Sequence, residues 1–151
     1  MNKKTIQNIE SKIETWMDNH GLLFLRISLA IVFFWFGILK PLGLSPAADL
    51  VYATAFWFSP HTFLLIVGWW EVIIGITLLF RKTLPIGIIL LFAQMIGTFL
   101  PLVLLPQVVF VKFPFVLSME GQYIFKNLVL ISAGIVVGGT LHYKHKKNRL
   151  M

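Results

Sequence analysis

The sequence predicts an all-α protein: a membrane-spanning four-helix bundle with an N-terminal amphipathic surface helix and a short interfacial helix after the first span. Three observations carry this reading. Of 151 residues, 58% are hydrophobic and only 13% charged, with a mean hydropathy of +0.84, outside the usual range of a soluble domain. The apolar residues gather into four runs of the length that ~30 Å of hydrocarbon requires at 1.5 Å per residue. The net charge of +7, from 13 Lys and Arg against 6 Asp and Glu, collects at the chain ends and in one short loop. That distribution suits anionic lipid and membrane orientation, not nucleic acid.

Residues 1–19 open the chain. Ile6, Ile9, Ile13 and Trp16 or Met17 recur at helical spacing, with Lys3, Lys4, Glu10, Lys12, Glu14 and Asp18 elsewhere, so an amphipathic helix on the cytoplasmic surface is expected. Residues 1–20 lack the apolar core of a signal peptide. The transmembrane domain covers 20–143, with spans at about 22–40, 62–80, 84–104 and 122–142, each helical because hydrocarbon offers no partner for free backbone groups. A basic tail, 144–151, ends the chain.

Two connections carry start signals. Ser45-Pro46 and Ser59-Pro60 pair a capping serine with a proline suited to a first helical turn. The first introduces a short helix over 46–57, with Tyr52, Phe56, Trp57 and Phe58 as interfacial aromatics. The third connection, 105–119, is apolar but broken by Pro106 and Pro114, and is expected to be an extended or re-entrant cover. Lys3, Lys4, Lys12, Arg81, Lys82, Lys144, Lys146, Lys147 and Arg149 fall on one side, which places both termini in the cytoplasm.

Each span offers one seam to a shared interior. Arg26, Ala30, Phe33, Gly37 and Lys40 form a stripe on the first, and Gly68, Glu71 and Gly75 share a face of the second. Gly87, Leu91, Gln94, Thr98 and Pro101 line the third, and Lys126, Leu130, Ala133, Val137 and Thr140 the fourth, with Asn127 beside Lys126. A carboxylate at membrane depth costs about 2.5–3.5 kcal/mol, so Glu71 needs a partner. Counted from the ends of the apolar runs, Arg26 and Lys126 each start about 8–9 Å from Glu71 in depth, so the three can form one charged cluster, the alternative for either cation being to snorkel to the nearby boundary. Lys40, at the outer edge, reads as an anchor. With no cysteine, disulfide exchange, thiolate chemistry and Cys-ligated metal are excluded for this chain alone. His20, His61, His142 and His145 sit at span ends, so no metal or haem is expected.

RISLAIVFFWFGILK (26–40), WEVIIGITLLF (70–80) and EGQYIFKNLVLISAG (120–134) resemble the DoxX-like superfamily of small four-helix bacterial membrane proteins. The likeness is closest to its YkgB/RclC-type branch and extends over roughly 22–140. The matching motif positions are Arg26, Gly37, Lys40, Glu71, Gly75 and Lys126. The resemblance implies a bacterial inner-membrane protein acting as a membrane component in redox or stress physiology. As an enzyme, it implies a membrane subunit, not itself redox-active, of a quinone-linked oxidoreductase with a soluble partner subunit.

Together these readings give a pocket for a small polar or quinone-like ligand. Glu71 is its proton-labile group, Arg26 and Lys126 are cationic partners, and Gln94 and Thr98 form a hydrogen-bonding wall. Lys40, Trp70 and Asn127 complete the candidate ligand-binding set, and no residue is assigned as catalytic. Membrane lipid, a small-molecule ligand and a soluble partner subunit are the expected partners. Two other readings stay open: a small proton-linked transporter or exporter, in which Glu71 changes protonation, and a structural anchor for a soluble partner, in which the charges fix helix register.

Overall fold

A computed structural model describes residues 3–55 and 59–148. The aromatics expected at 56–58 and the last residues of the tail, 149–151, lie outside the described residues. The chain is mostly helical, and four of its helices are long and apolar enough to cross a membrane. It is a multi-pass membrane protein.

The first helix, α1, runs unbroken over Lys3–Leu39, so residues 3–19 are not separated from the first span. Nothing at the junction breaks the helix. There is no proline, and a single glycine, Gly21, costs only about 1 kcal/mol relative to alanine. Trp16 and His20 stack at 5.2 Å, and Trp16 meets Phe24 at 5.7 Å, across the same junction. At 1.5 Å per residue the helix is about 55 Å long, so roughly 25 Å of it exceeds what a bilayer core requires.

α1 ends where Pro41 removes a backbone donor. The following turn is closed by Gly43 N–H to Lys40 O and Leu44 N–H to Leu39 O, with Gly43 at φ +71, a conformation that favours glycine. α2 (Ala48–Thr54) is the short helix expected here, begun two residues later than Pro46. α3 spans Pro60–Leu79 with proline in its first turn. Neither serine caps as expected. Among the described residues Ser45 Oγ accepts only the Ala47 N–H, within the turn before α2, and Ser59 Oγ receives the Thr62 hydroxyl instead of a backbone N–H.

α4 (Leu84–Phe99) continues through Leu100 into a short α5 (Pro101–Leu104). The connection that follows is extended only in part. It contains α6 (Pro106–Val109) and a small antiparallel hairpin of β1 (Phe110–Lys112) and β2 (Val116–Leu117). This hairpin departs from the all-α expectation because Phe113-Pro114 joins two short β-favouring runs. It seats on the start of α7 (Met119–Asn148), where Val109 is fully buried and Gly121 lies beneath the Val109 carbonyl.

α1 packs along α3 and against α7, while α4 packs against α3 and α7. The enclosed apolar core joins Leu29, Ala30 and Phe33 to Ile74 and Leu78, to Ile88, Leu91 and Met95, and to Ala133 and Val137. The outward faces are equally apolar. Trp35, Ile89 and Ile96 are 63%, 68% and 74% exposed, as expected where lipid is the solvent.

Candidate functional site

The closest helix approach positions the site. A Cβ added to Gly37 would lie 2.7 Å from Val72 N and 2.9 Å from Glu71 Cβ, and one added to Gly75 would lie 2.6 Å from Phe34 N. One added to Gly68 would meet Lys40 Cβ and Pro41 Cδ at 2.8 Å. Small residues on both helices thus let the backbones of α1 and α3 touch and fix their register, with Gly37 level with Glu71 and Ala30 to Phe34 level with Gly75. Lys40 follows Gly37 by three residues, as Glu71 follows Gly68, so the same contact brings lysine and glutamate together.

Lys40 Nζ forms an ion pair with Glu71 Oε2 and also donates to Phe36 O at 3.3 Å. The second bond follows from how α1 ends. The Lys40 N–H turns to Gly37 O, which frees the Phe36 carbonyl for the lysine ammonium of the same turn. On the other side of the carboxylate, Gln94 Nε2 of α4 donates to Glu71 Oε1 at 3.0 Å. The side chains of Lys40 and Glu71 are only 6% and 13% exposed. Three helices therefore converge on one buried carboxylate, and the charge that made Glu71 costly is held by two donors.

Thr98 and Trp70 flank this cluster. Thr98 Oγ1 donates to Gln94 O at 3.0 Å, on the turn that carries the amide. Trp70 Nε1 donates to Leu90 O at 3.2 Å, one turn of α4 away from Gln94, and so stitches α3 to α4. Asn127 is half-buried on α7 and takes no part in the Glu71 hydrogen bonds.

Arg26 and Lys126 are not brought to Glu71, which corrects the expected three-charge cluster. Gly37 marks the level of Glu71 on α1, and Arg26 lies eleven residues earlier, about 16 Å along the axis, beyond the reach of its side chain. Counting depth from the ends of the apolar runs misplaced it, because the glycine contacts slide α3 along α1. Lys126 is exposed, with its ammonium 4.9 Å from the centre of the Tyr123 ring, a cation–π contact within its own helix. The outer part of α7 buries Gly121 and Ile124 on a different side from Lys126.

Lys40 was legible as a seam residue and misread as an anchor. The signal was present in the pattern: Gly37-x-x-Lys40 and Gly68-x-x-Glu71 are matching glycine-plus-three steps on two antiparallel helices. Compared with protein-family models, curated proteins and solved structures, the chain shows no match.

Proposed function

We propose that this protein is a small multi-pass protein of the bacterial inner membrane whose Lys40–Glu71–Gln94 cluster binds a small polar or quinone-like ligand. The observation that carries the proposal is the unfilled hydrogen-bonding capacity of a buried charged group. Among the described residues Lys40 uses two of its three donors, and each Glu71 oxygen accepts one bond where it has capacity for two. Glu71 retains 13% side-chain exposure. A ligand carbonyl suits the remaining lysine N–H, and a ligand hydroxyl suits the carboxylate. The resemblance to DoxX-like proteins supports the same reading and points to a membrane component of redox or stress physiology.

The finer membrane arrangement belongs to this proposal. Both termini and the Arg81-Lys82 turn lie in the cytoplasm, supported by the lysine and arginine asymmetry. Residues 1–19 attach to the cytoplasmic surface, which requires the helix that runs unbroken through Gly21 to bend there in a bilayer. Their exposed stripe, Ile6, Ile9, Ile13 and Trp16, continues into the outward face of the span at Leu23 and Ile27, so an outward bend turns it toward lipid.

A second reading is favoured by the glycine contacts: the ion pair locks α1 against α3 and the protein is a structural anchor. Mass spectrometry of small molecules extracted from purified protein separates the two. The ligand reading expects a molecule that accompanies the wild type and is lost from a folded Lys40→Gln/Glu71→Gln double variant. The same molecules in both proteins, or none in either, assigns the cluster to structure.

A further inference from the structure

We propose that the Arg81 end of the bundle carries a second site, which binds the phosphate of an anionic phospholipid, with Arg26 at its centre and Arg81 and Lys82 at its rim. It is separate from the Glu71 cluster and does not depend on that cluster's function. The α1–α3 register places it. Gly75 abuts Ala30 and Phe34, and α3 ends at Leu79, so the turn through Arg81 and Lys82 stands level with Arg26. Arg26 also extends the α3-facing stripe by one turn beyond Ala30.

The Arg26 side chain is half-buried, and its Nε is fully buried without a hydrogen-bond partner among the described residues. A buried guanidinium N–H left unmet is costly, and no described carboxylate answers it. Glu71 is about 16 Å away along the helix and is held by Lys40 and Gln94. Asp18, on α1 itself, is eight residues toward the N-terminus, about 12 Å away. Only Nε of the guanidinium is enclosed in this way, and a phosphate engages the terminal amino groups through paired N–H bonds. Arg81 and Lys82 are exposed at the same level, and α4 begins there at Leu84, adding the positive end of its dipole.

Soluble phosphate and a lipid headgroup share this chemistry. The surroundings favour lipid, since Leu22, Leu23, Ile27 and Phe80 expose apolar surface at the same end, where acyl chains would lie.

The test uses full-length protein in mild detergent, titrated with phosphatidylglycerol or phosphatidylcholine and read by native mass spectrometry. Phosphatidylglycerol should bind in preference to phosphatidylcholine. Arg26→Gln should weaken it at least about fivefold, as should the exposed-turn double variant Arg81→Gln/Lys82→Gln, which does not touch the core; about 1 kcal/mol per cation corresponds to this factor. Lys112→Gln, an exposed cation on the hairpin, should change nothing. Equal binding of the two lipids, or unchanged phosphatidylglycerol binding in the folded Arg81→Gln/Lys82→Gln variant, overturns the proposal. Displacement of the lipid by an equal concentration of glycerol phosphate also overturns it and assigns a soluble anion.

Discussion

Gly37 lies against the backbone of α3 at Glu71, so close that a methyl group at position 37 would sit 2.7 Å from Val72 N and 2.9 Å from Glu71 Cβ. The Lys40–Glu71 pair is a consequence of that contact. Gly37→Ala should therefore force the helices apart and cost about 1–3 kcal/mol, the usual range for overpacking. Gly139→Ala, where nothing lies within 4 Å, should be neutral or stabilise by up to about 1 kcal/mol through helix propensity. Thermal unfolding in detergent compares them, and equal midpoints would refute the close approach.

Trp70 should contribute through its indole N–H. Trp70→Phe removes the bond to Leu90 O and should cost about 0.5–1.5 kcal/mol. Trp69→Phe, at a residue 53% exposed, should change stability by less than about 0.5 kcal/mol. The same unfolding assay reads both, and a larger loss at Trp69 would contradict the α3–α4 stitch.

The bend proposed at Gly21 is measurable as a distance. Spin labels at Ser11 and Ser28 stand about 26 Å apart along an unbroken helix, and about 18 Å apart if the segments meet at a right angle at Gly21. Protein in bilayers should give the shorter distance. The longer one would show that residues 1–19 project from the membrane instead of lying on it.

Much of the fold was legible because the membrane imposes it. Four apolar runs of bilayer length had to be helices, and the seams Ala30–Phe33–Gly37, Gly68–Gly75 and Gly87–Leu91 are buried as their spacing required. The junction at Gly21 was less legible, because an amphipathic stripe marks which face is apolar but not whether the helix breaks. The hairpin at 110–117 was hidden by prolines that signal interruption without specifying what replaces the helix. The partner of Glu71 was missed because sequence gives positions along each helix, whereas pairing depends on the offset between helices. That offset is set by backbone contact at Gly37, Gly68 and Gly75.

Arg26 and Lys126 should act independently of Glu71. Stability changes for Arg26→Gln or Lys126→Gln should add to that of Glu71→Gln within about 0.3–0.5 kcal/mol, as for distant sites. Detergent unfolding of the single and paired variants measures this, and a coupling above about 1 kcal/mol for either cation would restore the three-charge cluster.

The most direct test of the central claim, that Lys40 is the charge partner holding Glu71 inside the bundle, is a double-mutant cycle on Lys40→Met and Glu71→Gln. Each single change strands the opposite charge or its donor and should cost about 3–5 kcal/mol, whereas the double variant removes both charges and should recover most of that loss. Unfolding free energies that show this recovery support the pair. Strictly additive losses would contradict it and leave Glu71 held by Gln94 alone.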